Sequence, residues 1–182
     1  KVGIPEGRFT IKESRQAKNF VGIAAGSGIT PIISLLKSVL LDDQDTSFVL
    51  LYGNKSPEET MFYDELLLLE KKYPDRFKIN WVFSQSNFEN SHFGRIDPSL
   101  INYLIREIKA PSKASFYLCG PEAMINMSSE ELLEKGIAKE NLFFELFSSN
   151  TNKAKVTEAS KKGLLSLTCD EVTHSLELIQ GK

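Results

Sequence analysis

FVGIAAGSGITP, Phe20 to Pro31, decides the fold. Phe20–Ala25 is a short apolar run, too short for a helix and bounded by glycine, and reads as a buried strand. Gly26-Ser27-Gly28 then turns the chain. Thr30 and Pro31 suit the N-cap and first position of a helix whose inner face carries Ile32, Leu35, Leu36, Val39 and Leu40. A strand running through a glycine turn into a helix aims unpaired N–H groups, and the positive end of the helix dipole, at whatever lies above the strand. The glycines permit a tight turn and close approach of a phosphate. Pro31 stands where the usual dinucleotide-binding fingerprint has its last glycine.

Outward from this stretch the alternation continues. Ser47–Tyr52, Lys78–Ser84, Ser115–Cys119 and Leu142–Phe147 read as four further strands, rich in Val, Ile, Leu, Phe and Tyr. Helices are expected between them. The second opens on Ser56-Pro57-Glu58-Glu59, which reads as a capping box, and carries Phe62, Leu66, Leu69 and Tyr73 at helical spacing. The third starts at Asp97-Pro98, with Leu100, Ile101, Leu104, Ile105 and Ile108 inward. The fourth starts at Pro121 and stops near Gly136. The expected fold class is α/β, a five-stranded parallel sheet with helices on both faces. SFYLCGPEAM repeats the first motif, placing Cys119-Gly120-Pro121 at the end of the fourth strand. Both turns then fall at strand carboxyl ends, where open α/β sheets bind ligands.

The bulk numbers bound the function. The 182 residues are 41% hydrophobic and 25% charged, enough for one well-buried domain and an appendage. With 22 basic against 24 acidic residues and no basic block, nothing marks a nucleic-acid or anionic-lipid surface. No apolar run approaches the roughly 20 residues of a membrane span, and Lys1 to Glu13 lacks a secretory apolar core. The only cysteines are Cys119 and Cys169, so there is no disulfide framework and no zinc-like cluster. A cytoplasmic setting is expected. His92, in the polar loop Gln85–Phe93, and His174 have no second ligand at metal spacing, so no metal site is expected. Met124 and Met127 read as core-facing residues of the fourth helix.

From Ser148 to Lys162 the chain turns polar, as linkers do. Gly163–Cys169 and Thr173–Ile179 then alternate apolar with polar residues around Asp170-Glu171-Val172, which reads as a β-hairpin. KVGIPEGRF, without an initial Met, reads as the tail of something upstream.

GSGITP on the first strand, YGNKS after the second, GRID before the third helix, CGP after the fourth strand and FFELF on the last resemble, in that order, the ferredoxin–NADP reductase superfamily. The likeness spans nearly all of Lys1 to Ser148. The wording YGNKSPEETMF and CGPEAMI is most similar to the reductases of phenylacetate degradation and related oxygenase reductases. There an FAD-binding barrel precedes the nucleotide domain and a plant-type [2Fe-2S] ferredoxin domain follows it. The resemblance thus implies four segments: 1–14, the end of the FAD barrel; 15–148, the NAD(P)-binding domain; 149–162, a linker; and 163–182, the opening hairpin of the ferredoxin domain.

What the resemblance implies for the site follows from the same motifs. Gly26, Ser27, Gly28, Thr30 and Pro31 cradle the pyrophosphate. Asn54, Lys55, Ser56, Ser84 and Arg95 lie toward the adenosine half. Cys119, Gly120, Pro121 and Met124 flank the nicotinamide, with Cys119 a positioning residue rather than a nucleophile. Glu145 and Phe147 stand near the flavin edge. Coenzyme choice stays open: Lys55 with Ser56 favours a 2′-phosphate and NADPH, whereas Gln85 after Ser84 lacks the bidentate phosphate donor that an Arg would supply and favours NADH. The implied activity is an NAD(P)H oxidoreductase passing electrons through FAD and a [2Fe-2S] cluster to an oxygenase. Two alternatives stand beside it: a cytochrome b5 reductase or flavohaemoglobin type without a ferredoxin module, and a flavodoxin-like sensor domain. The latter needs an acidic cluster where this chain has Gly-Ser-Gly.

Overall fold

In the computed structural model, which describes residues 9–11, 18–42, 45–147, 162–169 and 172–179, Asn19–Ala25 (β1) lies between two parallel neighbours. These are Ser47–Asn54 (β2) and Ser115–Cys119 (β5). Phe77–Phe83 (β3) pairs outside β2, and Leu142–Glu145 (β6) pairs outside β5. All pairings in this sheet are parallel. The sheet has six strands rather than five, because Ser91–Phe93 (β4) adds a short edge beyond β3. Three residues in a polar stretch carry no strand signature of their own, and their order comes from the ladder to Trp81, Val82 and Phe83. His92 is therefore on an edge strand, its ring 5.1 Å from that of Tyr103, and not in a loop.

The helices are Ile29–Asp42 (α1), Tyr63–Lys72 (α2), Pro98–Glu107 (α3) and Glu122–Glu134 (α4). Residues alternate along β1, with Phe20 and Ala24 packing in the cluster of α1 and α2, and Val21 and Ile23 in that of α3 and α4. Both faces are thereby sealed, as parallel sheets require. The order β4-β3-β2-β1-β5-β6 reverses direction between β1 and β5. Their carboxyl ends flank a topological switch point.

Three helix starts differ from the sequence reading. Gly26–Gly28 forms a 3₁₀ turn that runs straight into α1 at Ile29, so Thr30 is not the N-cap and Pro31 is the third helical residue. Proline is tolerated there because first-turn N–H groups have no intrahelical partner. Ser56 opens no helix. Its carbonyl accepts the Thr60 hydroxyl at 2.7 Å, Thr60 N–H closes a turn on Pro57, and α2 begins only after Phe62, in the left-handed region at φ 60°. Pro121 is the residue before α4 rather than its first. Asp97 does cap α3, its carboxylate accepting the Leu100 N–H at 2.9 Å. The last strand ends at Glu145, leaving Leu146 and Phe147 outside it.

The chain divides into two units, Lys1–Ser149 and Asn150–Lys182. In the second, Lys162–Cys169 (β7) pairs antiparallel with Val172–Ile179 (β8), Cys169 opposite Val172. The expected barrel remnant falls largely, and the expected linker almost wholly, outside the described residues.

Candidate functional site

The turns after β1 and β5 meet at the switch point. Ala24 stands beside Cys119 in the ladder, and a Cβ on Gly28 would lie 2.1 Å from the Cys119 carbonyl oxygen and 2.8 Å from the Gly120 nitrogen. Backbone therefore packs on backbone, which glycine alone allows. Gly26 has the other glycine property: its φ of 53° is left-handed, and its Cα faces open space. Thr30 donates its hydroxyl to the Ser27 carbonyl at 3.0 Å, and the Ile29 N–H is taken by the Gly26 and Ser27 carbonyls. The turn is held by its own chain, with one side left open.

Beside it runs a groove of about 570 Å³ along the carboxyl ends of β2 and β3. Six residues singled out in the sequence line it: Asn54, Lys55, Ser84, Arg95, Pro121 and Met124. The β2–β3 ladder continues past both strands, Ser84 N–H to the Asn54 carbonyl at 3.0 Å and Gln85 N–H to that of Lys55 at 2.9 Å. This brings the two loops to one wall. Arg95, exposed, comes from the GRID turn opposite. The Lys55 ammonium holds Glu59 at 3.0 Å in a solvent-exposed pair that a ligand can displace at little cost. The Asn54 Nδ2 is buried, and the Asn54 side chain lies beside the Tyr52 hydroxyl.

Ser56 is not part of this wall, its side chain bonding Glu58, whose carboxyl it lowers first among several causes. Met124, read both as a packing residue and as a site residue, packs against the α3–α4 cluster and lines the groove; Met127, read as packing alone, does the same. Ala25, Gly53 and Ile96 also line it without having been singled out. Gly53 and Ile96 sit inside the quoted motifs YGNKS and GRID, and that signal could have found them.

At the other flank of the switch point Cys119 is fully buried and lies beside Glu145 in the β5–β6 ladder. Burial, and then the Glu145 charge, pushes its thiol up to about 11. A thiol raised this far stays protonated at ordinary pH. Phe144, Leu146 and Phe147 are exposed along the same edge. Among the described residues no cluster of His, Cys, Asp and Glu could hold a metal ion, and no helix is long and apolar enough to cross a membrane.

Residues 23–130 match the family described as the oxidoreductase NAD-binding domain. The chain belongs to that family. Over 164 residues it is 29% identical to a component of the 1,2-phenylacetyl-CoA epoxidase of Escherichia coli, covering 85% of this chain and 44% of that protein. It is 30% identical over 138 residues to NADH-cytochrome b5 reductase 1 of Candida albicans, 74% of this chain and 46% of that one. Among solved structures, the CS-b5R domains of human Ncb5or in the NAD⁺ form superpose with a TM-score of 0.69 at 25% identity, covering 79% of this chain and 40% of that one. This NAD-binding domain thus spans less than half the length of these relatives. The family match, with Gly-Ser-Gly where a sensor domain needs acids, sets the flavodoxin-like alternative aside.

Proposed function

We propose that this chain is the dinucleotide half of a reductase that takes a hydride from NAD(P)H and passes electrons through FAD and a [2Fe-2S] cluster to an oxygenase. The observation that carries the reading is the contact of the Gly28 turn with the Cys119-Gly120 turn, beside a groove lined by Lys55 and Arg95. The open side of the turn offers the exposed backbone of Gly26 and Ser27 and the α1 dipole to the pyrophosphate. Lys55 and Arg95 give the groove two cations for the adenosine ribose and any 2′-phosphate, and Ser84 adds a hydroxyl. The apolar wall of Ala25, Pro121 and Met124 excludes water and directs the ligand back toward Cys119. There Cys119, buried at the end of β5, supports from beneath the Gly120-Pro121 turn that meets the nicotinamide, and Glu145 holds a carboxylate at the edge where a flavin would meet it. FAD, when bound, accepts the hydride and returns electrons singly.

Exposed Phe144, Leu146 and Phe147 suit the face of a flavin-bearing domain, which is where the FAD would be held. The hairpin of β7 and β8 after a polar segment supports the ferredoxin-bearing type over the cytochrome b5 reductase type. The chain's two cysteines cannot supply the four thiolates of a [2Fe-2S] cluster, whose ligands would lie outside this chain.

Calorimetric titration with NADH and NADPH tests the reading. Saturable binding is expected, weakened about tenfold by Arg95→Ala for the ligand carrying a 2′-phosphate and less for the other. Absence of binding by either coenzyme would overturn it.

A further inference from the structure

We propose that Tyr52 is a positioning residue for the coenzyme's pyrophosphate, its buried hydroxyl aiming the Ser27 amide at the ligand. The inference rests on the dinucleotide reading above. Tyr52 is fully buried at the carboxyl end of β2, its ring 5.9 Å from that of Trp81. Its hydroxyl donates to the Gly26 carbonyl at 3.0 Å. No peptide bond here is cis, so the Ser27 N–H, in the same planar unit, points opposite to the Gly26 C=O. Drawing that carbonyl into the core turns the Ser27 N–H outward, toward the open side of the turn. The Ile29 N–H also reaches the Gly26 carbonyl, so both of its lone pairs are engaged and the peptide plane is held from two sides.

The Met61 carbonyl lies 3.4 Å from the same hydroxyl. Met61 is the last residue but one of the loop that begins with Lys55. A phenol has one proton to donate, and the shorter contact assigns it to Gly26, with Met61 as the alternative acceptor. Tyr52 thus stands between the pyrophosphate turn and the loop flanking the groove, and its hydroxyl can register the two against each other. Burial, opposed by a hydrogen bond with the Asn54 side chain, pushes it up to about 12, so it stays protonated through the working pH range.

The test is Tyr52→Phe, which removes only the oxygen. Three measurements are made on the whole chain: affinity for ADP-ribose, the shift of the Ser27 amide resonance on adding it, and the thermal midpoint. Wild type should bind with a clear Ser27 shift. The variant should bind about fivefold more weakly, the loss of one net hydrogen bond, with a smaller Ser27 shift and a midpoint within a few degrees. Equal affinity in the variant, or wild-type binding that leaves Ser27 unmoved, would overturn the positioning role alone. Failure of wild type to bind ADP-ribose would overturn the dinucleotide reading with it.

Discussion

At the amino end of the strands the Arg76 guanidinium donates to the carbonyls of Val39, Leu40 and Thr46 and to the Thr46 hydroxyl, at 2.8–3.2 Å. It closes the last turn of α1 onto the entries of β2 and β3, where helix carbonyls lack intrahelical partners. Thr46 returns its own hydroxyl to Val39, and Asn19 bridges Ser47 and the Lys109 carbonyl. At the carboxyl end the arrangement is reversed. Gly26 and Phe62 take left-handed conformations, and Lys55 and Arg95 are exposed. One end ties its polar groups together internally, and the other leaves cations and an open turn at the surface. Stability and binding are therefore separable by mutation, except where the two carboxyl-end turns touch.

That contact offers the sharpest way to break the division. Gly28→Ala should destabilise by about 3 kcal/mol, because the colliding atoms are backbone and no rotamer relieves them. Urea unfolding would read it. A loss of coenzyme affinity with unchanged stability would mean that the turns move apart freely and that Gly28 serves the ligand alone. For the same reason a bulky substitution at Gly28 is a poor probe of the proposed phosphate cradle.

Arg76→Ala sharpens the contrast from the other end. It should cost about 2 kcal/mol by stripping the partners from several carbonyls, with coenzyme affinity in the folded fraction unchanged. A marked change in affinity would show that the two ends are coupled through α1.

The smallest effect is expected from titrating Cys119. Burial pushes its thiol up to about 11 from an ordinary value of 9.0, so iodoacetamide should label Cys119 slowly at pH 8, read apart from Cys169 by peptide mass spectrometry. The sign for stability follows: a group whose value is raised on folding gives full support below pH 9.0 and loses it as pH climbs toward about 11. Rapid labelling at pH 8 would place Cys119 in an open, reactive setting and undo its assignment as a neutral positioning group.

Much of this architecture is legible in the chain. The apolar run of β1 with its Gly-Ser-Gly turn, the repetition of that plan at Cys119-Gly120-Pro121, and Asp97 before Pro98 are local signals read within a few residues. The start of α2 is not, because Ser-Pro-Glu-Glu satisfies the pattern of a capping box without forming one. In the fold Thr60 claims the Ser56 carbonyl and the helix waits until after Phe62. Tyr52 gives no sign of its polar role, since a tyrosine at the end of a strand reads as packing.

From the sequence alone came the fold class, the family resemblance and the residue types at the two turns, because strand and helix periodicity, glycine and caps act over short stretches. The tertiary structure alone decided the sixth strand, the groove that gathers Asn54, Lys55, Ser84, Arg95, Pro121 and Met124, the seating of Gly28 on Cys119 and the Tyr52 hydroxyl on Gly26. Each of these joins residues distant along the chain. Such contacts are set by strand order and close packing, which no local pattern encodes.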